Sequence, residues 1–388
     1  MSLQRLVLVT RRFWPLVGGA ERIMASLAAE LAGRGLEVTL LTARWQTQWP
    51  AELTYRGVSV VRLPSPSRRF WGTLEYMRSL ARWLSRNSDR YDLVYVSMLK
   101  HDAYATIGAV GGRVPVVLRA EGAGQSGDCR WQEVGNFGRW IRRRCRKADA
   151  LVAPSRAIET ELVEAGYPLA RVHYVPNGVP IATPGSTAKA EARATLASVN
   201  PLLQLADAAP LALYTGRLDV AKGLDTLLAA WELVTARLPK ARLWLAGEGP
   251  YRKTLEELIE ARGLFGRVVL AGVFDTVDEL LAAADVFVLP SREEGMSLSL
   301  LEAMAAGLPA IASDIPGNRQ LITHGQQGLL VPLDDATALA STLLQVLKEP
   351  QWAASLAAAG QASVQARFSL AKMADAHLAL FENLLCSR

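Results

Sequence analysis

The chain has few residues of the kinds that form covalent cross-links or metal sites. Its 388 residues include three cysteines, at positions 129, 145 and 386, and four histidines, at positions 101, 173, 324 and 377. The cysteines are scattered and lack histidine neighbours, so we expect them to be reduced and structural. No D-x-D triplet occurs and no two histidines have the spacing of metal ligands. The sequence therefore predicts no bound metal and no other cofactor.

Long apolar stretches are also absent. No run reaches the roughly 18 apolar residues that a membrane-spanning helix needs. The first residues, MSLQRLVLVTRRFW, lack the apolar core and cleavage site of a signal peptide. These absences predict a cytoplasmic protein. Because the chain has 388 residues, of which 50% are hydrophobic and 21% charged, it exceeds the size at which one core usually divides, and we expect two domains.

The positive charge lies in the first half of the chain. Residues 1–180 contain 26 Lys and Arg against 15 Asp and Glu, a balance of +11, whereas residues 181–388 contain 17 against 22, a balance of −5. This asymmetry predicts an anionic partner for the first half, such as a lipid head group or a phosphorylated acceptor. Nothing in the sequence resembles a nucleic-acid-binding module, so nucleic acid is not the expected partner.

An arginine-rich segment carries much of this charge. At 100° per residue, one face of a helix would hold Phe137, Trp140, Ile141 and Cys145, and the other Arg139, Arg142, Arg143 and Arg146. One interpretation is a helix that contacts the inner face of a membrane. The other is a helix that packs on its own domain and leaves a solvated basic face. The sequence leaves both open.

Strand-like and helix-like segments alternate along the chain. Such alternation predicts an α/β fold with parallel sheets covered by helices, here as two doubly wound, Rossmann-like domains. We expect these domains at residues 1–180 and 210–365. Residues 181–209 lack strand periodicity and are predicted as a linker, and residues 366–388 as a C-terminal helix. Thirteen apolar runs are predicted as strands, seven in the first domain and six in the second.

The most informative segment is SREEGMSLSLLEAMAA, at residues 291–306. The preceding run DVFVL predicts a buried strand, and Glu294 and Gly295 follow at its carboxyl end, where ligands bind in open parallel sheets. From about Ser297 the apolar residues recur at helical spacing, so the backbone N–H groups of residues 295–298 are expected to form an anion site for a diphosphate. Glu294 and Glu302 would reach the two ends of a nucleotide sugar.

Glycine turns follow two other predicted strands of the second domain. In LYTGRLDVAKGL, Gly216 allows close backbone approach, and Arg217 and Lys222 are placed to flank a diphosphate leaving group. The second turn, LAGEGP, contains Gly247, Glu248 and Gly249. It interrupts a strand just before a helix, which is the layout of a phosphate-binding turn.

Taken in order, these motifs resemble those of the retaining glycosyltransferases of family 4, the glycosyl transferases group 1. Residues 294–302 fit the family pattern of two glutamates separated by seven residues, and residues 216–223 resemble its G-R-x(4)-K-G motif. The segment GGAERIMASLAAELAGRGLEVTLLT, with Gly18 and Gly19 at the start of a predicted helix, resembles its N-terminal element. The resemblance covers nearly the whole chain and is strongest from Thr215 to Pro332.

The resemblance implies a GT-B fold, with the site in a cleft between the domains and a C-terminal helix that crosses back to the first domain. It implies that Arg217 and Lys222 stabilise the leaving diphosphate, that Glu294 contacts the transferred sugar, and that Gly18 and Gly19 lie near the acceptor and the donor phosphate. The donor-binding residues that follow from the motifs are Gly216, Gly247, Glu248, Gly249, Val273, Gly295, Met296, Ser297, Leu298 and Glu302. Of these, Glu302 would contact the ribose.

One position departs from the family pattern. Many members have a histidine that contacts the transferred sugar in the loop where this chain, in VPVVLRAEGAG, has Glu121. A glutamate there would either stabilise an oxocarbenium-like transition state or bind an acceptor hydroxyl or amine. His101, which begins a predicted helix, is the candidate to replace the imidazole in part; the alternative is a structural histidine.

The sequence therefore predicts a metal-independent, retaining hexosyltransferase. Its donor would be a UDP- or GDP-linked sugar, and its acceptor a glycan, a lipid-linked molecule or a small molecule. Two alternatives stay open. One is a nucleotide-sugar epimerase on the same fold, which would need acid–base residues at the sugar carbon. The other is a weakly catalytic nucleotide-sugar binding protein, an interpretation that Glu121 prompts.

Overall fold

The computed structural model describes residues 3–16, 18–66, 69–124, 127–181, 188–206 and 209–387. The chain forms two compact units, which we call unit 1, Met1–Gly178 with Leu370–Arg388, and unit 2, Val179–Ser369. Each unit contains one parallel or mainly parallel sheet with helices between its strands. The predicted α/β class with two parallel-sheet domains is confirmed.

Unit 1 is built on a sheet whose described strands have the order β3-β4-β2-β1-β5-β6-β7-β8. Neighbouring strands are parallel, except that β3 and β4 are antiparallel. Central strands such as β5 and β6 are buried at every residue, as expected for parallel strands with helices on both faces. The strands are β1 Arg5–Val9, β2 Glu37–Arg44, β3 Glu52–Tyr55, β4 Val58–Pro64, β5 Leu93–Ser97, β6 Val116–Arg119, β7 Ala150–Ala153 and β8 Val172–Tyr174.

The helices of unit 1 connect these strands. They are α1 Gly19–Gly33, α2 Arg69–Arg86, α3 His101–Val110, α4 Asp128–Val134, α5 Gly138–Cys145 and α6 Arg156–Glu164, followed at the end of the chain by α15 Leu370–Cys386. Of the eight strands, β3 is the one that the sequence pattern does not predict. It lies at the edge of the sheet and its four residues are exposed or half-buried, so it lacks the apolar run that marks the others.

Unit 2 is built on a sheet with the order β11-β10-β9-β12-β13-β14, in which all described pairs are parallel. Its strands are β9 Leu211–Thr215, β10 Arg242–Ala246, β11 Val268–Gly272, β12 Val286–Leu289, β13 Ala310–Ser313 and β14 Leu329–Val331. Its helices are α7 Lys189–Val199, α8 Leu224–Arg237, α9 Arg252–Ala261, α10 Asp278–Ala283, α11 Leu298–Ala305, α12 Pro316–Arg319, α13 Ala336–Lys348 and α14 Pro350–Arg367. Within the described ranges, no helix is both long and apolar enough to cross a membrane.

The segment predicted as a linker belongs to unit 2 where it is described. Residues 182–187, 207 and 208 of that segment lie outside the described residues, but helix α7 buries Ala192 and Leu196 in the unit 2 core. Lys189 and Arg193 pair with Asp285, at N–O distances of 2.7 and 2.9 Å. The prediction missed this packing because an alanine-rich helix has a weak apolar stripe.

The C-terminal helix α15 packs in unit 1, with Met373, Ala374, His377, Leu380 and Phe381 on its buried face. Arg34, at the end of α1, pairs with Asp375 at 2.6 Å and donates to the carbonyl of Ala371 at 3.0 Å. The C-terminal helix therefore belongs to the first domain, as predicted. Helix α14 runs on to Arg367, so α15 begins at Leu370 and not at the predicted residue 366.

Helix α5 combines features of both interpretations of the arginine-rich segment. Ile141 and Cys145 are buried, so the helix packs on its own unit, whereas Phe137 and Trp140 are exposed. The predicted apolar face is therefore wrong for these two aromatic residues. Phe137 precedes the helix as its N-cap, and Trp140 lies about 100° from Ile141 around the helix axis, outside the arc that contacts the core.

Candidate functional site

Lys222 and Glu294 meet at the carboxyl edge of the unit 2 sheet. Lys222 ends a short 3-10 turn after β9, and Glu294 lies in the loop after the neighbouring strand β12. The Lys222 Nζ atom lies 2.7 Å from Glu294 Oε1, and the Ser291 hydroxyl donates to the same oxygen at 2.7 Å. The Glu294 side chain keeps 11% of its surface exposed. A ligand at this edge would therefore meet a cation and a carboxylate that are already fixed relative to each other.

The turns after β9 and β10 contact each other through their backbones. Gly247 has a φ of +145°, and a Cβ atom there would lie 1.8 Å from the carbonyl oxygen of Gly216. A Cβ on Gly249 would lie 2.1 Å from the carbonyl of Leu218. The glycines of this turn are thus required by close packing, which holds the segment containing Arg217 against the end of β10.

Arg217 is the most exposed of the predicted charged residues of this edge, with 69% of its side chain accessible. Its guanidinium lies 3.6 Å from Asp219, and its carbonyl accepts a hydrogen bond of 2.8 Å from the Tyr214 hydroxyl. The backbone of Arg217 is therefore fixed, while its cation is directed to solvent and not to the Lys222–Glu294 pair.

The helix predicted after Glu294 begins at Leu298. Ser297 is its N-cap and accepts a hydrogen bond from the Leu300 N–H at 3.3 Å. Met296 and Ser297 are buried, whereas Gly295, Leu298 and Glu302 are half-buried. Because residues 294–297 are not helical, the separation of Glu294 and Glu302 does not follow from helical rise alone.

The remaining predicted donor residues of unit 2 lie at the ends of β10 and β11. Glu248 pairs with Arg252 at 2.5 Å, in the first turn of α9. Val273 directly follows β11 and is exposed. An exposed valine at a strand end is available to an aromatic base, whereas Glu248 is occupied within its own turn.

Arg292 links three segments at the same edge, although no sequence motif singles it out. Its guanidinium donates to Asp225 at 2.8 Å, to Asp334 at 2.9 Å and to the carbonyl of Val220 at 2.7 Å. The hydrogen bonds to Asp225 and Asp334 raise the pKa of Arg292. This residue holds the loop of Glu294 against the turn of Lys222. In the sequence it reads as an ordinary loop charge because its partners are 42 to 72 residues away.

In unit 1, Glu121 lies two residues beyond β6 with a fixed side chain. Its Oε1 atom accepts hydrogen bonds from the Ser97 hydroxyl and from Arg119 Nε, both at 2.8 Å. Its backbone N–H donates to Asp128 at 2.9 Å. The structure thus places a buried arginine beside the glutamate that departs from the family pattern.

His101 is the first residue of α3, and its ring packs edge-on against Trp131 with centroids 5.2 Å apart. Burial, together with the nearby charges of Arg11 and Lys100, lowers the pKa of His101. None of the hydrogen bonds between described residues joins it to Glu121. The participation of His101 in chemistry stays a prediction.

The paired glycines open α1, and the Glu21 carboxylate lies against the first of them. Gly18 is the N-cap, and a Cβ there would lie 2.3 Å from Glu21 Oε2. Burial raises the pKa of Glu21, and Arg12, at 3.8 Å, opposes that effect. A phosphate that approached this helix terminus would have to displace Glu21, a cost that the sequence alone does not reveal.

No group of three or more His, Cys, Asp or Glu side chains that could hold a metal ion occurs in the described part of the chain. All three cysteines are free thiols. The independence from metal stays a prediction.

Two family models match the chain. The model described as glycosyl transferase 4-like domain matches residues 18–178, and the model described as glycosyl transferases group 1 matches residues 209–349. The chain belongs to the glycosyl transferases group 1 family. This membership confirms the resemblance to the retaining glycosyltransferases of family 4.

Some curated relatives of this group 1 member align with about half of the chain, and others align with nearly all of it. A lipopolysaccharide core biosynthesis glycosyltransferase, LpsE, of Rhizobium meliloti is 35% identical over 44% of this chain and 49% of its own length. The chain thus aligns with about half the length of the first curated relatives it matches. A GDP-mannose-dependent phosphatidylinositol monomannoside mannosyltransferase of Mycobacterium tuberculosis is 28% identical over 96% of this chain and 98% of its own.

Solved structures show the same fold over the whole chain. Sucrose-phosphate synthase from Thermosynechococcus elongatus superposes with a TM-score of 0.83 and 24% identity, over 99% of this chain and 100% of the other. Anabaena HepE in complex with UDP-glucose superposes with a TM-score of 0.77 and 20% identity, over 99% of both chains. The GT-B fold of this group 1 member is therefore confirmed.

Proposed function

We propose that this group 1 member is a retaining glycosyltransferase that takes a hexosyl group from a UDP- or GDP-linked donor. The observation that carries the proposal is the Lys222–Glu294 pair, held at the carboxyl edge of the unit 2 sheet and followed by the N-terminus of α11. Family membership supports it, as do the printed names of relatives and neighbours, which include a GDP-mannose-dependent enzyme and a complex with UDP-glucose.

In this proposal unit 2 binds the donor. The diphosphate lies against Lys222, Arg217 and the N–H groups that open α11, which together offset the charge that grows as the glycosidic bond breaks. Glu294 accepts hydrogen bonds from hydroxyls of the transferred sugar, because Lys222 and Ser291 occupy only its Oε1 atom. Glu302 accepts from the ribose. No metal ion takes part.

The acceptor is a hydroxyl compound that meets unit 1. Relatives are named for lipopolysaccharide core biosynthesis, for phosphatidylinositol mannoside and for L-malate, so glycolipid, polysaccharide and small-molecule acceptors all belong in the test. The test incubates the protein with UDP-glucose, UDP-N-acetylglucosamine and GDP-mannose, with and without these acceptors, and follows products by NMR. Transfer with the donor's anomeric configuration supports the proposal. Interconversion of the donor without acceptor would identify an epimerase, and inversion would contradict retention.

The exposed face of α5 supports contact with an anionic membrane surface. Phe137 and Trp140 are exposed, the latter with 68% of its surface, and Arg139 and Arg143 are exposed beside them. Aromatic side chains next to arginines bind the interface of anionic bilayers. This contact would bring the enzyme to a lipid-linked acceptor.

Sedimentation with phosphatidylcholine vesicles, with and without phosphatidylglycerol, tests this contact. We expect binding to the anionic vesicles only, weakened by Trp140→Ser and by Arg143→Gln. The matched control is Phe265→Ser, which removes an exposed aromatic residue from unit 2 and should leave binding unchanged. Equal loss in the control, or no binding by the unaltered protein, would exclude a specific role of α5.

A further inference from the structure

Arg119 is a buried cation in unit 1 that the proposed function does not yet use. It ends strand β6 and retains only 1% of its surface. Its Nη1 atom is buried and has no hydrogen-bond partner among the described residues. Burial of a guanidinium costs several kcal/mol unless its charge and donors are compensated. The buried Arg119 guanidinium therefore depends on the neighbouring groups that compensate its charge.

The other two nitrogens of Arg119 each donate one hydrogen bond. Nε donates to Glu121 Oε1 at 2.8 Å, and Nη2 donates to Asn177 Oδ1 at 2.5 Å. Burial lowers the pKa of Arg119, but the attraction of Glu121 and Tyr95 outweighs it, so the net shift is upward. The guanidinium is thus a permanent charge with a fixed direction.

Glu121 is fixed at its backbone and at one of its two carboxylate oxygens. Both hydrogen bonds to its carboxylate, from Arg119 and Ser97, go to Oε1, and its backbone N–H is fixed by Asp128. No hydrogen bond from a described residue reaches Oε2, and the Glu121 side chain keeps 9% of its surface exposed. An ion pair built for stability would pair both carboxylate oxygens with the guanidinium fork. Here both contacts reach Oε1, and Oε2 has no partner among the described residues.

The position of this oxygen is that of a ligand site. Glu121 lies just beyond β6 and Ser97 ends the adjacent strand β5, so both are at the carboxyl edge of a parallel sheet. The Glu121 charge also contributes to the raised pKa of Glu21, after the larger effect of burial, which places the first turn of α1 nearby.

The supports of Arg119 come from the two segments by which the chain leaves and re-enters unit 1. Asn177 is one residue before Gly178, where unit 1 ends, and α15 begins at Leu370, where it resumes. On α15, His377 receives a 2.8 Å hydrogen bond from Tyr95, which interacts with Arg119. These contacts fix the arginine within unit 1.

We propose that Arg119 is a positioning residue that holds Glu121 so that the Oε2 atom accepts a hydrogen bond from the attacking hydroxyl group of the acceptor. The inference rests on the proposed glycosyl transfer and deepens it. Glu121 would touch the acceptor, whereas Arg119 would act only through Glu121. The chain thereby uses an orienting carboxylate at the position where many family members have an imidazole.

The test uses water as the simplest hydroxyl acceptor, so that no acceptor has to be known. Hydrolysis of the nucleotide sugar that binds best is measured at high protein concentration for Glu121→Gln, Arg119→Gln and the double variant, and binding of the free nucleoside diphosphate is measured alongside. We expect each single variant to lower kcat by about 10- to 100-fold, the size expected for a lost charge-assisted hydrogen bond, without changing KM for the donor. The double variant should be no slower than Glu121→Gln, because the two residues act as one unit.

Three further variants separate positioning from folding. Asn177→Ala removes a partner of Arg119 without touching Glu121 and should lower kcat in the same direction by a smaller factor. Tyr167→Phe removes a buried hydrogen bond to Gln132 in the same unit and should cost stability without changing kcat. Arg119→Lys should recover part of the activity, since it restores the charge but not the two-donor geometry.

The outcomes distinguish this inference from the proposed function. Additive losses of Arg119→Gln and Glu121→Gln, or kcat losses that match the loss of stability as in Tyr167→Phe, would show a merely structural arginine. The inference would also be overturned if the protein binds nucleotide sugars but transfers the sugar neither to water nor to any acceptor. Failure of the unaltered protein to bind any nucleotide would instead remove the proposed function itself.

Discussion

At the scale of single residues, the proposed donor site depends on Lys222 and Glu294. They are 72 residues apart in the chain and join through one 2.7 Å contact at the edge of a sheet. In the proposal they have different ligands, since the lysine faces the diphosphate and the glutamate faces the sugar. That division makes the two side chains separable by experiment.

Lys222→Met should weaken binding of the nucleoside diphosphate by about 10- to 100-fold, because a hydrogen bond between charged groups contributes about 1.5–3 kcal/mol. Glu294→Gln should leave the affinity for the free diphosphate nearly unchanged and weaken binding of the nucleotide sugar. Titration calorimetry measures both. Lys253→Met, an exposed lysine on α9 of the same unit, is the matched control, and an equal effect of that variant would indicate general electrostatics and not a site.

The sequence identifies the residues of this site that belong to short motifs and misses those whose partners are remote. Glu294, Lys222 and Arg217 are recognised from the spacing of glycine and charge after apolar strands. Arg292 donates to Asp225, 67 residues away, and Arg119 donates to Asn177, 58 residues away, separations that no local pattern encodes. A buried arginine reads in a sequence as one more surface charge.

At the scale of elements, the glycine turns after β9 and β10 are needed for close backbone packing. Gly247→Ala would place a Cβ 1.8 Å from the Gly216 carbonyl in a residue with a φ of +145°. We expect a loss of about 2–4 kcal/mol in the free energy of unfolding, measured by chemical denaturation. The control is Gly263→Ala, which has a φ of +63° and nothing within 4 Å of the new Cβ. It should cost only about 1 kcal/mol, and equal costs would contradict the close packing.

Helix α15 contributes a pH-dependent term to stability through His377. Its Nδ1–H donates to the Met373 carbonyl, so its Nε2 accepts from Tyr95. Burial, with a contribution from Arg119 and against the hydrogen bond to Met373, lowers the pKa of His377 to about 3. Above pH 6.5 the imidazole is neutral in both the folded and the unfolded chain. As pH falls, the unfolded chain takes up a proton first, so stability is lost between pH 6.5 and about pH 3.

At pH 5 this loss amounts to about 2 kcal/mol relative to pH 7. We therefore expect His377→Gln to lose less unfolding free energy between pH 7 and pH 5 than the unaltered protein does, by about that amount. The comparison needs the variant because burial raises the pKa of Asp102 to about 6, which acts in the opposite direction. An unchanged difference in His377→Gln would show that the histidine titrates normally in the folded protein.

Strands were more predictable than helix faces at this scale. Apolar runs located thirteen of the described strands, because a strand buried on both faces needs only a continuous hydrophobic segment. The face of α5 depends on where the helix begins and which arc meets the core, and neither is encoded in the periodicity of eight residues. The same reasoning explains α7, whose ion pairs with Asp285 are remote in sequence.

At the scale of the whole molecule, the two units carry different sets of candidate functional residues. Unit 2 carries the motifs that are assigned to the donor, and unit 1 carries the basic charge, the exposed aromatic residues of α5 and the Arg119–Glu121 pair. The class of fold followed from the alternation of strands and helices. The identity of the acceptor did not follow, since it depends on loop surfaces for which no motif exists.

The most direct test of the central claim is a thermal-shift titration of the purified protein with UDP, GDP and ADP and their sugar conjugates. A ligand at 100 times its dissociation constant should stabilise the protein by roughly 2.7 kcal/mol. We expect a clear shift with the nucleotides of one base, UDP or GDP. No shift with any of them would contradict the roles assigned to Arg217, Lys222, Glu294 and Glu302, and with them the claim that unit 2 binds a nucleotide sugar.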